Sequence, residues 1–227
     1  MLPFFKDERY IKEGNKPLFV IYRPQYITEL SARLAYYNKR AQEEGFDGLV
    51  FAAQHVSFYA EKSVDKVKFK YHIEYQPGYE FYDMSSWMQK QMSVIKQNVQ
   101  TWARDHLKSF KSAKKANLQK LSYDEVWNTV LNRKAEPGMI PGAFVDWDNT
   151  PRYKEKGRVL TGATPEKFKE YFGKQLKRAR DEYKSDYIFI FAWNEWSEGG
   201  YLEPDMKNQY GYLDAIKSCV DELESEN

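Results

Sequence analysis

One cysteine, three histidines and twelve glycines in 227 residues leave several chemistries without material. Cys219 alone forms no internal disulfide. Its setting, "YLDAIKSCVDEL", carries a helical stripe of Leu213, Ile216, Val220 and Leu223, which marks a buried structural thiol and not a nucleophile. His55, His72 and His106 lie far apart, without metal-ligand spacing, so each reads as a structural or polar-site histidine. A glycine-rich phosphate loop and a G-x-S-x-G elbow are both missing. No run approaches the ~18 apolar residues of a membrane helix. The opening "MLPFFKDERYIKEGNK" lacks the apolar core of a signal peptide, which favours the cytoplasm and leaves peripheral membrane contact open. A net charge of +2 gives no general attraction to nucleic acid. Repeats, low-complexity tracts and flexible linkers are absent too.

What the chain does have is aromatic surface. Phe, Trp and Tyr make up 17% of it, in 18 Tyr, 14 Phe and 6 Trp. Most of these rings are needed for the core, but their flat faces also suit sugars. With 42% apolar and 30% charged residues, the expectation is one globular domain, residues 1–227, with an irregular helical insertion at about 57–140.

Four nearly continuous apolar runs, "PLFVIY", "FDGLVFAA", "GAFVDW" and "YIFIFAW", read as strands buried on both faces, as in a parallel sheet. Helical patterns lie between them. "ITELSARLAYYNKRAQEEG" spaces Leu30, Leu34, Tyr37 and Ala41 along one face, with Gly45 at its end. "TPEKFKEYFGKQLKRARDEY" opens with Thr164 as N-cap and Pro165 at the first helical position, and its stripe is Phe168, Phe172, Leu176 and Ala179. In the middle, "KVKFKYHIEY" alternates like an exposed strand or hairpin, "QPGYEFYD" reads as a turn, and "SSWMQKQMSVIKQNVQTWARDHLKSFKSAKKA" reads as a long helix. "SYDEVWNTVLNR" is a further helix, with Ser122 and Glu125 as a capping box. Arg104 to Lys120 is basic and reads as a solvated helix face, or else as a surface for an anionic ligand. Strand, helix and strand with buried parallel strands make the class α/β.

In such folds ligands bind beyond the carboxyl ends of the strands. The residues there are Arg23; Gln54 and His55; Asp146, Trp147, Asp148, Asn149 and Arg152; and Trp193, Asn194, Glu195, Trp196 and Glu198. Glu195 and Glu198 follow a long apolar run and are flanked by indoles, a setting that raises a carboxyl pKa and suits a general acid. Glycosyl chemistry needs two carboxylates, one for the leaving or attacking oxygen and one for the developing oxocarbenium ion. The i, i+3 spacing would face opposite sides of a regular strand and one side of a bent one. A divalent-ion cage of Asp146, Asp148, Glu203 and Asp205 is the less favoured alternative, and no cofactor is expected.

"AWNEWSEGGYLEPD", with "FVDWDNTPR" and "FFKDERYIKEGNKPLFVIYRP", resembles the WbsX-like glycosyltransferases of bacterial surface-polysaccharide clusters, which are related to the endo-α-mannosidases of glycoside hydrolase family 99. The resemblance runs from Phe4 to the last helix and is weakest between Ser57 and Lys120. It implies a (β/α)8 barrel of which this chain holds the C-terminal part, a glycan or nucleotide-sugar substrate, and a need for a preceding N-terminal half. It also implies that Glu195 and Glu198 are catalytic, one assisting attack by the sugar's own 2-hydroxyl and the other acting as acid/base. Arg23, His55, Trp147, Asp148, Asn149, Arg152, Trp193, Asn194, Trp196 and Glu203 are the expected substrate-binding residues. Hydrolysis of the endo-mannosidase type and sugar binding without turnover are the alternatives.

Overall fold

The structure, a computed structural model, describes residues 1–55, 68–83 and 118–226. The long helix expected after Tyr82, with His106 and most of the basic stretch, lies outside the described residues. In chain order the strands are β1 (Lys12–Glu13), β2 (Lys16–Tyr22), β3 (Val50–His55), β4 (Tyr71–Glu74), β5 (Gln119–Ser122), β6 (Met139–Ile140), β7 (Gly142–Phe144), β8 (Arg158–Thr161), β9 (Phe189–Phe191), β10 (Asn194–Glu195) and β11 (Gly200–Tyr201). Helices include Leu30–Glu43, Gly78–Asp83, Tyr123–Asn132, Pro165–Arg178 and Gly211–Ser225. The chain forms two compact units. One is Met1–Tyr79 with Lys134–Ala143 and Gln175–Phe189; the other is Glu80–Arg133 with Phe144–Lys174 and Ile190–Asn227.

The first unit holds the sheet β1-β2-β3-β4-β6. From β2 onward its strands are parallel, with Leu18 opposite Val50, Ala52 opposite Tyr71 and His72 opposite Met139. Alternation sends Leu18, Val50, Ala52, Ile73 and Ile140 to one face, and Ile21 and Ala53 to the other, where Leu34 and Leu30 of the Leu30–Glu43 helix pack. Both faces are therefore apolar, as the continuous runs required. The helix closes at the expected place, where Gly45 donates to the Gln42 carbonyl with a positive φ of 91°.

Two readings of the middle are corrected here. "KYHIEY" is not an exposed hairpin: Tyr71–Glu74 is a parallel strand inside the sheet, with His72, Ile73 and Glu74 buried. Glu74 is accommodated because the Tyr183 hydroxyl donates to it at 3.1 Å. "QPGYEFYD" is not only a turn, since Gly78–Asp83 is helical.

β7 and β9 pair as well. Phe189 N–H donates to the Pro141 carbonyl, and Val145 N–H to the Phe191 carbonyl, a rising register that belongs to parallel strands. Within the first unit's sheet, strand neighbours follow chain order with no reversal. That is the order of a (β/α) barrel and not of a doubly wound sheet, which reverses at a switch point.

The second unit is built on aromatic stacking. Trp127 is fully buried, lying flat on Phe144 (4.7 Å between centroids, 17°) and on Tyr171 (5.7 Å, 8°). Tyr123, Val126, Trp127 and Val130 form the buried face of the Tyr123–Asn132 helix. In the last helix the buried residues are Tyr212, Ala215 and Cys219, and the Cys219 thiol donates to the Lys169 carbonyl at 3.3 Å. Burial pushes that thiol's pKa up, as befits an inert structural cysteine.

Ser122 caps its helix, accepting from Glu125 N–H at 3.4 Å. Replacing it with alanine should cost about 1 kcal/mol, a fall in Tm of about 2–4 °C, and Ser122→Asp should restore it. An unchanged Tm in Ser122→Ala would show that the cap contributes nothing.

Candidate functional site

The run "YIFIFAW" does not continue as a straight strand. After β9 the chain folds back on itself: Ala192 N–H donates to the Gly200 carbonyl, β10 pairs antiparallel with β11, and Leu202 N–H returns to the Trp193 carbonyl. The tip of this hairpin is a 3₁₀ turn, Trp196–Glu198, with Glu195 as its N-cap and Gly199 in the left-handed region at φ 68°. Three residues make one turn of a 3₁₀ helix, so positions i and i+3 eclipse. Glu195 and Glu198 consequently share a side. A Cβ at Gly200 would lie 2.3 Å from the Phe191 ring, so a larger residue there would require that ring to move.

A single hydrogen-bond network joins the two carboxylates. Arg152 Nη1 donates to Glu198 Oε1 at 3.1 Å, and Arg152 Nη2 donates to Ser197 Oγ at 3.3 Å. The Ser197 hydroxyl in turn donates to Glu195 Oε1. Glu198 is 9% exposed, and this burial lifts its carboxyl above the ordinary glutamate range. Arg152 pulls the value back and the nearby Glu195 charge adds to the lift.

Arg152 is placed by its neighbours. Asp148 Oδ1 accepts from Thr150 N–H at 2.8 Å, and the Asn149 carbonyl accepts from Arg152 N–H at 3.1 Å. Asn149 Oδ1 also takes Arg158 N–H at 2.7 Å. These two residues shape the short Thr150–Tyr153 helix that carries Arg152, the turn-forming habit of Asp and Asn. The same segment is held on both sides, since Leu160 N–H donates to the Trp147 carbonyl and Asp148 N–H to the Glu198 carbonyl. Trp147 is a buried wall residue in ring contact with Phe191 and Phe81, and among the described residues its Nε1 has no hydrogen-bond partner.

Trp193 and Trp196 do not enclose the carboxylates; they are 55% and 49% exposed. Asn194 is exposed in β10, opposite Tyr201. Glu203 accepts from Trp196 Nε1 at 2.6 Å, and Asp205 accepts from the Tyr201 hydroxyl at 2.9 Å and from Lys207 N–H at 2.8 Å. Among the described residues no cluster of three or more His, Cys, Asp or Glu could hold a metal ion. Arg23 and His55 belong to the first unit. They end neighbouring strands, with Arg23 N–H donating to the Gln54 carbonyl and the Arg23 guanidinium 5.1 Å from the Tyr22 ring.

Ser197 was not singled out from the sequence, whereas Asp146 was named there as a strand-end acid and as a member of the less favoured ion cage. Ser197 sits inside the motif and becomes the bridge only because the turn is 3₁₀. Asp146, at the end of the buried "GAFV" run, has its carboxyl pushed up to about 6, first by burial and further by Asp148, against Trp147 N–H and Lys207, which lower it. Burial and Asp205 push Tyr201 up to about 12, with Asp146 adding to this, and burial and Asp146 also raise Tyr212.

Among the described residues no helix is long and apolar enough to cross a membrane. The chain is 26% identical over 220 residues to the protein WxcX of Xanthomonas campestris pathovar campestris, in two strains. That alignment takes in 96% of this chain and 28% of WxcX, so the chain spans under a third of that relative's length. Solved structures similar to it include the GH99 endo-alpha-mannosidase from Bacteroides thetaiotaomicron, at 14% identity and a TM-score of 0.47, covering 97% of this chain and 58% of that one. The same enzyme in complex with Bis-Tris propane gives 17% identity and a TM-score of 0.44, over 95% and 60% of the two chains. The family described as Glycosyltransferase WbsX matches residues 1–216, and the chain belongs to that family.

Proposed function

We propose that this chain carries the catalytic carboxylates of a glycosyl-transfer reaction in the assembly of a bacterial surface polysaccharide. Membership of the Glycosyltransferase WbsX family makes it part of a carbohydrate-active protein. The observation that carries the finer reading is the pairing of a buried Glu198, whose carboxyl burial shifts upward, with Glu195 through Arg152 and Ser197. In this reading Glu198 is the acid/base that handles the leaving or attacking oxygen, and Glu195 is the anionic partner that supports positive charge developing at the anomeric carbon. Arg152 bonds Glu198 directly and is linked to Glu195 through Ser197, and it is exposed enough to meet substrate, with 54% of its side chain accessible.

The test is product analysis. The protein is incubated separately with a set of nucleotide sugars plus glycan acceptor and with α-mannan, and products are read by mass spectrometry. Growth of the acceptor by one sugar residue supports transfer. Shortened mannan without acceptor growth replaces it with hydrolysis, and no product from either leaves a sugar-binding role.

A further inference from the structure

We propose that Trp196 is a preformed stacking platform for one neutral pyranose ring; this rests on the carbohydrate reading above and adds the class of sugar that is held. An exposed indole normally turns about two side-chain torsions and loses that freedom on binding. Trp196 has lost it already. Its backbone is the first residue of the 3₁₀ turn, its ring lies on Tyr201 at 3.7 Å and 15°, and its Nε1 is held by Glu203 at 2.6 Å. Tyr201 is fixed in its turn by the hydroxyl bond to Asp205. With Tyr201 covering one face, the 49% exposure of Trp196 is surface offered to solvent on the remainder.

The fixing residues decide what the platform accepts. Because Glu203 occupies the indole N–H, Trp196 has no donor left for a sugar hydroxyl and presents only its π-face. That face attracts the weakly positive C–H groups on the apolar side of a pyranose. The charged groups bonded to the stack are both carboxylates, Glu203 on the indole N–H and Asp205 on the Tyr201 hydroxyl. A uronate or sugar phosphate stacked there meets an excess of negative charge, whereas a neutral ring does not.

The experiment follows the indole N–H signals in ¹H–¹⁵N spectra, with the Trp196 signal assigned by its loss in Trp196→Phe. Methyl α-glucopyranoside, its manno and galacto counterparts, and methyl glucuronoside are titrated in separately. At least one neutral glycoside should move the Trp196 signal, and the uronoside should bind about tenfold more weakly. Trp196→Ala should weaken the neutral glycoside about tenfold by saturation transfer, while Trp196→Phe keeps part of the affinity. Glu203→Gln, which keeps an acceptor for the indole but removes the charge, should bring the uronoside close to the neutral sugar. A Trp196 signal that no neutral glycoside moves, or a uronoside that binds the wild type equally well, overturns the platform; neither needs the alanine variant to fold. Stacking without turnover in the product assay overturns the transferase reading and leaves the platform standing. Turnover with an unmoved indole signal does the reverse.

Discussion

Glutamine at either Glu195 or Glu198 is expected to lower glycosyl turnover by about 10²-fold or more, the scale of a lost general acid or base. The substitution keeps size and hydrogen-bonding capacity. In Glu198→Gln the amide oxygen can still accept from Arg152 Nη1, which stands 3.1 Å from the glutamate, and in Glu195→Gln it can still accept from Ser197. What disappears is the ability to give or take a proton, or to carry charge. Stability should hardly suffer, because Arg152 is solvated and a neutral side chain at the buried Glu198 position removes a carboxylate that burial disfavours. The pH profile adds a second signature. A raised Glu198 keeps its proton to higher pH, so acid-dependent turnover should fall as pH rises through that value, and this alkaline limb should vanish in Glu198→Gln. Near-normal turnover in both variants, with melting temperatures unchanged, would remove the pair from the chemistry. Turnover that falls only in step with Tm would make their role structural.

The parts of this molecule legible in the sequence are those that local pattern controls. "PLFVIY" and "FDGLVFAA" gave β2 and β3 because uninterrupted apolar runs fit only a strand covered on both faces. Ser122, Thr164 and Gly45 announced helix ends because capping is a matter of nearest neighbours; Thr164 Oγ1 takes Lys167 N–H at 3.2 Å. What the sequence concealed depends on distant partners. Glu74 looks like a surface residue until Tyr183, 109 positions away, supplies a hydroxyl inside the first unit. Gln175 interrupts the expected Phe168–Phe172–Leu176 stripe, yet it is fully buried because its amide donates to the Gly142 carbonyl at 3.0 Å. β5 and β8 are short and polar, and become strands by pairing with each other, with Arg158 bonded to Gln119.

The same division runs through the candidate site. The Asn194–Glu198 segment could be read off because its functional groups are consecutive in the chain. Whether Glu195 and Glu198 face one side depended on a turn geometry that spacing alone leaves open. Asp148 and Asn149 were chosen for their chemistry, and they fold the loop that aims Arg152.

Replacing Asp146 with asparagine should stabilise the protein above neutral pH. Its pKa rises from the usual 3.8 to about 6, chiefly because burial disfavours the charged form, so the folded state holds this proton more tightly than the unfolded chain does. A folded-state pKa above the unfolded one contributes stability that is complete below pH ~4 and is lost as pH rises through ~6. Two pKa units correspond to about 3 kcal/mol. Since Asp146 is only partly buried and Lys207 offsets some of the charge, about 1–3 kcal/mol is the expected range. Asn at this position keeps the oxygen that accepts Trp147 N–H, at 2.7 Å from Asp146 in the present structure, and carries no charge to bury. Urea unfolding of both proteins at pH 4, 6 and 8 should therefore give equal stability at pH 4 and a growing advantage for Asp146→Asn by pH 8. Taking the difference between the two proteins cancels every other titrating group that does not touch this one. Those that do are Asp148, Lys207 and the Tyr123, Tyr201 and Tyr212 hydroxyls. None of the tyrosines ionises in this window, because each is raised above its ordinary value. An advantage of the same size at pH 4 and pH 8 would mean that the substitution acts through packing, and that Asp146 is ionised in the folded protein at no cost.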